Sequence, residues 1–166
     1  EVNNGTGFIE GGSFGVGQPA PSRMQVGKPL GYFYGYKTTG IFQNQAEVDA
    51  APSQIALGAE AQAGDIRYVD MNNDGVINTS DRTDIGSPIA ASTMGFNMQF
   101  GYKNFDFVTY LFASIGNDMV RNYERSLTDV NRLDYVLDRW TGEGTSNSAP
   151  RVTTSATSNN VFSDYF

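Results

Sequence analysis

The stretch "MGFNMQFGYKNFDFVTYLFASI", residues 94–115, carries the clearest periodicity in this chain of 166 residues. Over residues 94–102, bulky apolar side chains alternate with glycine, asparagine and glutamine, as in a β-strand with two unlike faces. Lys103 and Asn104 interrupt the pattern, and a second, less regular apolar run follows over residues 105–115. The stretch therefore predicts two strands of about ten residues joined by a tight turn, with Asn104 tolerating its positive φ.

The hairpin has two interpretations. In a soluble sandwich its apolar face would pack on a core and its polar face would meet water. In a transmembrane barrel the apolar face would meet lipid and the polar face a wet lumen. Strand length favours the barrel, as do the candidate interfacial aromatics Tyr102, Phe105 and Tyr110 and the short turn opposite a long polar stretch beyond Gly116.

The barrel interpretation assigns a medium to each face of the hairpin. The small and polar residues Gly95, Asn97 and Gln99 would face the lumen, and the Lys103–Asn104 turn would lie at the periplasmic rim. Residues 116–166 and the acidic stretch at residues 70–81 would lie outside the cell. The positions expected to face lipid are Met94, Phe96, Met98, Phe100, Phe105, Phe107 and Leu111.

Composition excludes several classes of function. The formal net charge of −7 disfavours nucleic acid and anionic membrane surfaces as electrostatic partners. The chain has no histidine and no cysteine, which removes Ser-His triads, thiolate nucleophiles and the usual zinc sites. The absence of an initiator methionine before Glu1 and the ending "NNVFSDYF" suggest a piece of something longer.

Shorter elements are predicted on either side of the hairpin. Asn44, with a glutamate three residues on, predicts the start of a short helix ending near Pro52. We also expect a weak strand at 6–10, one or two strands within 30–43, a strand at 64–70, at most a helical turn at 81–85 and an amphipathic helix at 133–140. Residues 141–160 have the composition of a loop.

The most specific local motif is "DMNNDGVINTSD", residues 70–81, whose spacing matches an EF-hand calcium loop. Gly75 permits the sharp turn, and Ile77 is expected to anchor the loop by its side chain. The predicted ligands are Asp70, Asn72, Asp74, the Val76 carbonyl, Asn78 and Asp81. Neither flank has room for the helices of an EF-hand. The aspartate at position 12 is shorter than the usual glutamate, so we expect calcium of modest affinity in a structural role. An Asx-rich turn that binds no metal is the alternative.

The remaining carboxylates do not predict an enzyme. Asp106, Asp118, Glu124, Asp129 and Asp134 are scattered, whereas a glycosidase needs a pair facing across a cleft. A soluble extracellular calcium-stabilised β-module that binds glycan or an adhesion partner is the main alternative to a transporter segment. A fragment of a carbohydrate-active enzyme is a weaker one.

Four long segments, in this order, resemble the SusC/RagA family of TonB-linked outer-membrane proteins of the Bacteroidetes. They are "VGKPLGYFYGYKTTGIFQNQAEV" (26–48), "AGDIRYVDMNNDGVINTSDRTDIGSP" (63–88), "GFNMQFGYKNFDFVTYLFASIGNDM" (95–119) and "DRWTGEGTSNSAPRV" (138–152). The resemblance covers roughly residues 26–166, and the match of residues 1–25 is unspecific.

The resemblance implies an all-β fold: part of one antiparallel transmembrane β-barrel, with long extracellular loops that carry short helices. Residues 26–115 would supply strands and the calcium motif, and residues 116–166 a long extracellular loop region. It also implies a location in a Gram-negative outer membrane and no enzymatic activity. The parent protein would import oligosaccharides or peptides with a SusD-like surface lipoprotein and the TonB complex as partners.

Overall fold

The computed structural model describes residues 7–13, 20–121, 133–153 and 159–165. In these ranges the strands are β1 (Phe8–Glu10), β2 (Ser22–Gln25), β3 (Tyr32–Gly35), β4 (Thr38–Ile41), β5 (Ile66–Tyr68), β6 (Thr83–Gly86), β7 (Ser92–Tyr102) and β8 (Phe105–Ile115). The helical elements are α1 (Gln45–Ala50) and three 3₁₀ turns at Ile55–Leu57, Thr79–Asp81 and Asp134–Asp138. Position 6 of the weak first strand, Glu124, Asp129 and part of the 116–166 loop lie outside the described residues.

The described strands form three antiparallel sheets, which confirms the predicted all-β class. Their orders are β1-β2-β3-β6, β4-β5 and β7-β8, and together they do not close a barrel. The predicted short helix is confirmed as α1, whose first turn is capped because the Asn44 side chain accepts a hydrogen bond from the Glu47 N–H at 3.0 Å. None of the helices in the described ranges combines the length and apolar character needed to cross a membrane.

The predicted hairpin is confirmed. β7 and β8 have 11 residues each and pair without a bulge from Ser92 opposite Ile115 to Tyr102 opposite Phe105. One detail of the turn is wrong: the positive φ, 53°, falls on Lys103 and not on Asn104. Positive φ at only the first central residue is a feature of a type II′ turn, which suits the strand twist as well as type I′ does.

The segments 36–82, 138–153 and 159–165 pack together, and we call them the loop module. Four of its buried side chains, Tyr36, Ile66, Tyr68 and Ile77, pack together as one apolar cluster. Residues 138–153 and 159–165 follow the hairpin in the chain but pack on this part of the module. For example, the Tyr68 hydroxyl donates to the Asn159 carbonyl at 2.8 Å. The polar stretch after the hairpin is therefore packed against the strands before it, although it has little regular structure.

The sheet β1-β2-β3-β6 takes three strands from the chain before the loop module and one, β6, from the segment between the module and the hairpin. Its face is held by Arg23, whose guanidinium lies between the rings of Phe8 and Tyr34, 3.7 and 3.6 Å from their centroids. β6 corrects the prediction of at most a helical turn at 81–85. Only Thr79–Asp81 is helical, and residues 83–86 extend because they pair with β3.

The neck, residues 86–91 and 116–119, joins this sheet to the hairpin. The Asp118 N–H donates to the Ser87 carbonyl at 2.7 Å, and the Ser87 N–H donates to the Asp118 carboxylate at 2.9 Å. Gly86 is needed here, because a Cβ at this position would lie 2.6 Å from the same carboxylate. The two segments that enter and leave the hairpin are thus fixed to each other at the C-terminal end of β6.

The amphipathic helix predicted at 133–140 is wrong. Residues 134–138 form a 3₁₀ turn, and Leu133 and Leu137 are exposed instead of sharing a buried face. The reason is a set of tertiary contacts. The backbone N–H of Trp140 donates to the Ala149 carbonyl, and its indole ring packs on Gly64. These contacts draw the chain out of a helical path.

Candidate functional site

The largest candidate site is the surface of the hairpin. Because directly opposed residues of an antiparallel pair project to the same side, the register sets Met98 beside Thr109, Phe96 beside Leu111 and Phe100 beside Phe107. All seven predicted lipid-facing residues therefore share one face, as the alternation predicted. Their side chains are 44–79% exposed, although they are apolar.

The opposite face combines the predicted lumenal residues with large side chains from β8. Phe112 lies opposite Gly95, and Tyr110 lies opposite Asn97 at the centre of the hairpin. The predicted interfacial role of Tyr110 is therefore wrong, whereas Tyr102 and Phe105 do lie at the turn end. The Tyr110 side chain reaches over Gly95, because a Cβ at this glycine would lie 3.8 Å from the Tyr110 hydroxyl, an ordinary van der Waals distance.

The hairpin makes no contact with any other helix or strand of the described chain. Both outer edges therefore carry unpaired backbone N–H and C=O groups, and a two-stranded hairpin alone is marginally stable in water. Eleven extended residues span about 37 Å, which crosses the hydrocarbon core of a bilayer when the strand is tilted by about 45°. An exposed apolar face of this length is typical of a transmembrane β-barrel segment.

The second candidate site is the acidic loop at 70–81. The Asp70 carboxylate accepts from the Asn73 and Gly75 N–H groups at 2.6 and 2.8 Å. Asp74 accepts from the Val76 N–H at 2.8 Å and from the Asn72 amide at 3.0 Å. These hydrogen bonds hold the pKa of Asp74 below its usual range, so this carboxylate remains ionised at neutral pH.

The far end of the loop is closed by Asp81, which is fully buried. Its two oxygens accept from the Met71 and Asn78 N–H groups at 2.9 and 2.8 Å, so it ties the first residues of the loop to the last. Ile77 is also fully buried in the core of the loop module, as predicted from its position in the motif. β5 precedes the loop, a single 3₁₀ turn at Thr79–Asp81 ends it and β6 follows it, so strands flank the loop where an EF-hand would have helices, as expected.

The structure brings part of the predicted ligand set together. Asn72 and Asn78 both direct their amide N–H groups to Asp74, at 3.0 and 3.5 Å, and Asn78 also donates to the Val76 carbonyl at 3.2 Å. Asp81 is engaged with backbone on the inner side. Across the described ranges, no group of three or more acidic side chains lies close enough to hold a metal ion. The loop is thus closed by its own hydrogen bonds.

Several polar residues that position these sites gave no signal in the sequence. Buried Gln54 bridges β5 on its free edge, since its amide donates to the Ile66 carbonyl and accepts from the Tyr68 N–H. Arg151 binds the buried carboxylate of Asp65 with two hydrogen bonds of 2.6 and 3.2 Å. Both contacts join residues that no local pattern connects, the second across 86 positions.

Comparison with known proteins defines the family. The chain is 33% identical over 135 residues to TonB-dependent receptor P26 of Formosa agariphila, a match that covers 79% of this chain. It is 30% identical over 131 residues to TonB-dependent receptor P3 and 29% identical over 133 residues to TonB-dependent receptor P39 of the same organism, matches that cover 77% and 61% of this chain. Each match spans 13% of the relative's own length. No family model matches the chain.

These relatives and the exposed apolar hairpin agree on one class, the outer-membrane β-barrel. Within that class, the chain belongs to the TonB-dependent receptor family. It corresponds to one segment of such a receptor.

Proposed function

We propose that this chain forms part of the barrel wall and part of the extracellular mouth of a TonB-dependent transporter in a Gram-negative outer membrane. The observation that carries the proposal is the hairpin, whose one face is apolar, exposed and unpartnered over 11 residues of each strand. In a bilayer that face is buried in hydrocarbon. The transporter works by carrying a substrate across the membrane and not by catalysing a reaction.

The orientation follows from the two ends of the hairpin. The turn at Lys103–Asn104 has two residues, whereas the other end leads through the neck to the β1-β2-β3-β6 sheet and the loop module. Short turns lie on the periplasmic side of such barrels and long loops outside. The loop module therefore lies outside the cell, beside the mouth of the barrel.

Within this class, the proposed subfamily is SusC/RagA, of the kind found in the Bacteroidetes. The support is the ordered set of motifs around residues 26–48, 63–88, 95–119 and 138–152. The proposed substrates are oligosaccharides or peptides, and the proposed partners are a SusD-like lipoprotein at the mouth and the TonB complex on the periplasmic side. The loop module is the part of this chain that such a lipoprotein would contact.

Membrane fractionation tests the proposal against a soluble β-module. We expect the full-length protein to sediment with outer membranes, to resist extraction by salt or carbonate and to require detergent for solubility, because the apolar face of the hairpin lies in lipid. Release into the aqueous phase without detergent, in a folded state, would contradict the assignment and favour the soluble calcium-stabilised module.

We further propose that loop 70–81 binds Ca²⁺ as a structural ion. The support is the donor set, namely the side-chain oxygens of Asp70, Asn72, Asp74, Asn78 and Asp81 and the Val76 carbonyl, with Gly75 at φ 81° in the turn. Asp74 is ionised and exposed. Without an ion, Asp74 accepts hydrogen bonds from the side-chain amides of Asn72 and Asn78. Calcium would take the place of these donors and stiffen the loop.

Calorimetric titration of the full-length protein with CaCl₂ tests this second proposal. The last position of the loop is Asp81, where an EF-hand has a bidentate glutamate. We therefore expect weak binding, with Kd on the order of 10⁻⁴–10⁻³ M. Saturation at ten times Kd would stabilise the loop by about 1.4 kcal/mol. Asp74→Ala should abolish the binding heat, and Asp49→Ala, an exposed carboxylate on α1, should leave it unchanged. An unchanged heat in Asp74→Ala, or no heat in the native protein, would contradict a calcium site here.

A further inference from the structure

The six-residue turn between β2 and β3, residues 26–31, exposes two large apolar side chains. Val26 is 76% exposed and Leu30 is 68% exposed. The one charge on the turn between them, on Lys28, is directed away to the Asp84 carboxylate at 3.3 Å. The tip therefore presents an apolar surface without an unpaired charge.

The same turn lies at the level of the neck. Phe33 pairs with Gly86, and the strands are antiparallel, so the residues before Phe33 run alongside the residues after Gly86. A Cβ added at Gly31 would lie 3.9 Å from the Pro88 side chain. The turn is thus carried next to the point where the chain enters the hairpin.

The neck adds two more exposed apolar side chains at this level. Ile89 is 52% exposed and Met119 is 84% exposed. Ile89 precedes the first hairpin strand by three residues, about 10 Å of extended chain, and Met119 follows the Ser87–Asp118 clasp directly. We call Val26, Leu30, Ile89 and Met119 the collar.

We propose that the collar is a second lipid-contacting surface, which seats the β2–β3 turn in the interfacial layer of the outer leaflet beside the hairpin. The occupant is lipid, because the collar is continuous along the chain with the apolar face of the hairpin and lies just beyond its extracellular end. Apolar side chains at the boundary between headgroups and acyl chains are stabilised by the area that they bury there. The surface would hold the β1-β2-β3-β6 sheet, and through it the mouth, against the membrane.

This inference rests on the proposed membrane location of the hairpin, and it adds a contact made by a loop turn outside the barrel wall. Because the chain contains no cysteine, single cysteines can be introduced into it and labelled with an environment-sensitive fluorophore. The experiment uses full-length protein in phospholipid vesicles that contain lipids spin-labelled either near the headgroup or deep in the acyl chain. The labelled variants are Val26→Cys and Leu30→Cys in the collar, Met98→Cys in the hairpin and Ala56→Cys on the exposed side of the loop module.

We expect the labels at 26 and 30 to emit at shorter wavelength than the label at 56, and to be quenched several-fold more by shallow than by deep spin labels. The label at 98 should be quenched mainly by deep spin labels, and the label at 56 by neither. Quenching at 98 with water-like, unquenched emission at 26 and 30 would overturn the collar and leave the barrel assignment intact. Short-wavelength emission at 26 and 30 without lipid quenching would also overturn it, since a protein would then cover the collar. Water-like emission at 98 would remove the membrane assignment itself.

Discussion

The substitution Met98→Arg is expected to destabilise the membrane-folded protein by about 2–4 kcal/mol, the cost of an arginine on the lipid face near the bilayer midplane. Met98 lies one position from the centre of β7 and is directed to the apolar face. Arginine there cannot reach water without distorting the bilayer. Denaturant titration of the full-length protein folded into phospholipid vesicles measures the loss as a shift of the unfolding midpoint.

The matched variant is Asn97→Arg, one residue earlier and on the opposite face. It introduces the same charge at nearly the same depth, but into a wet lumen, where we expect a change within about 0.5 kcal/mol, as for other substitutions at solvated positions. Met98→Leu keeps the volume and apolar character and should behave as the native protein. Equal losses in the two arginine variants would mean that the two faces of the hairpin meet the same medium.

The second large effect is expected from Arg151→Ala in the loop module. The Asp65 side chain is only 5% exposed, and Arg151 supplies two of the hydrogen bonds that satisfy its carboxylate. The Gln62 N–H, at 2.9 Å, would remain as a partner. Breaking a buried pair by removing one member costs about 3–5 kcal/mol, and we expect the lower value because Arg151 is itself a quarter exposed.

Hydrogen–deuterium exchange of the full-length protein measures this loss locally, in peptides covering residues 62–68 and 138–153. Arg67→Ala is the control, because the contacts of Arg67 are exposed and such contacts contribute little: a 3.9 Å ion pair with Glu47 and hydrogen bonds to Thr39 at 2.7 and 3.4 Å. The double variant Asp65→Ala with Arg151→Ala should recover part of the loss, since it leaves no unpaired buried charge. Faster exchange in the 138–153 peptide without a change in 62–68 would contradict a module built from both segments.

The hairpin could be predicted from the sequence because its information is local. The alternation of apolar and small or polar residues determines the two faces, and the two-residue interruption determines the turn. The strand register and the set of residues on each face follow without knowledge of the rest of the chain. The α1 cap at Asn44 and the anchoring role of Ile77 were predictable for the same reason. Each depends on residues within a few positions of one another.

The errors occur where distant residues decide the conformation. Residues 83–86 form a strand because β3 lies beside them, and the 133–140 segment is not an α-helix because Trp140 packs on Gly64 and bonds to Ala149. Local propensity is overridden by tertiary contacts at both places. The contacts of Gln54 and the Asp65–Arg151 pair are of the same long-range kind, and nothing in the neighbouring sequence points to either.

The calcium motif is an intermediate case. Its spacing and glycine gave the correct backbone shape, including the positive φ of 81° at Gly75. The side chains satisfy their hydrogen bonds within the loop, so shape alone does not decide between a metal site and an Asx-rich turn. That choice depends on whether Ca²⁺ competes with the amide N–H groups around Asp74.

The central claim is that one face of the β7–β8 hairpin lies in lipid, and a cysteine scan of residues 94–102 in vesicles tests it most directly. With a fluorophore at each position in turn, quenching by lipids spin-labelled in the acyl chain should alternate. It should be strong at 94, 96, 98 and 100, weak at the positions between them, greatest near the centre of the strand and weaker at the interfacial position 102. Uniformly weak quenching with water-like emission at neighbouring positions 97 and 98 would contradict the claim.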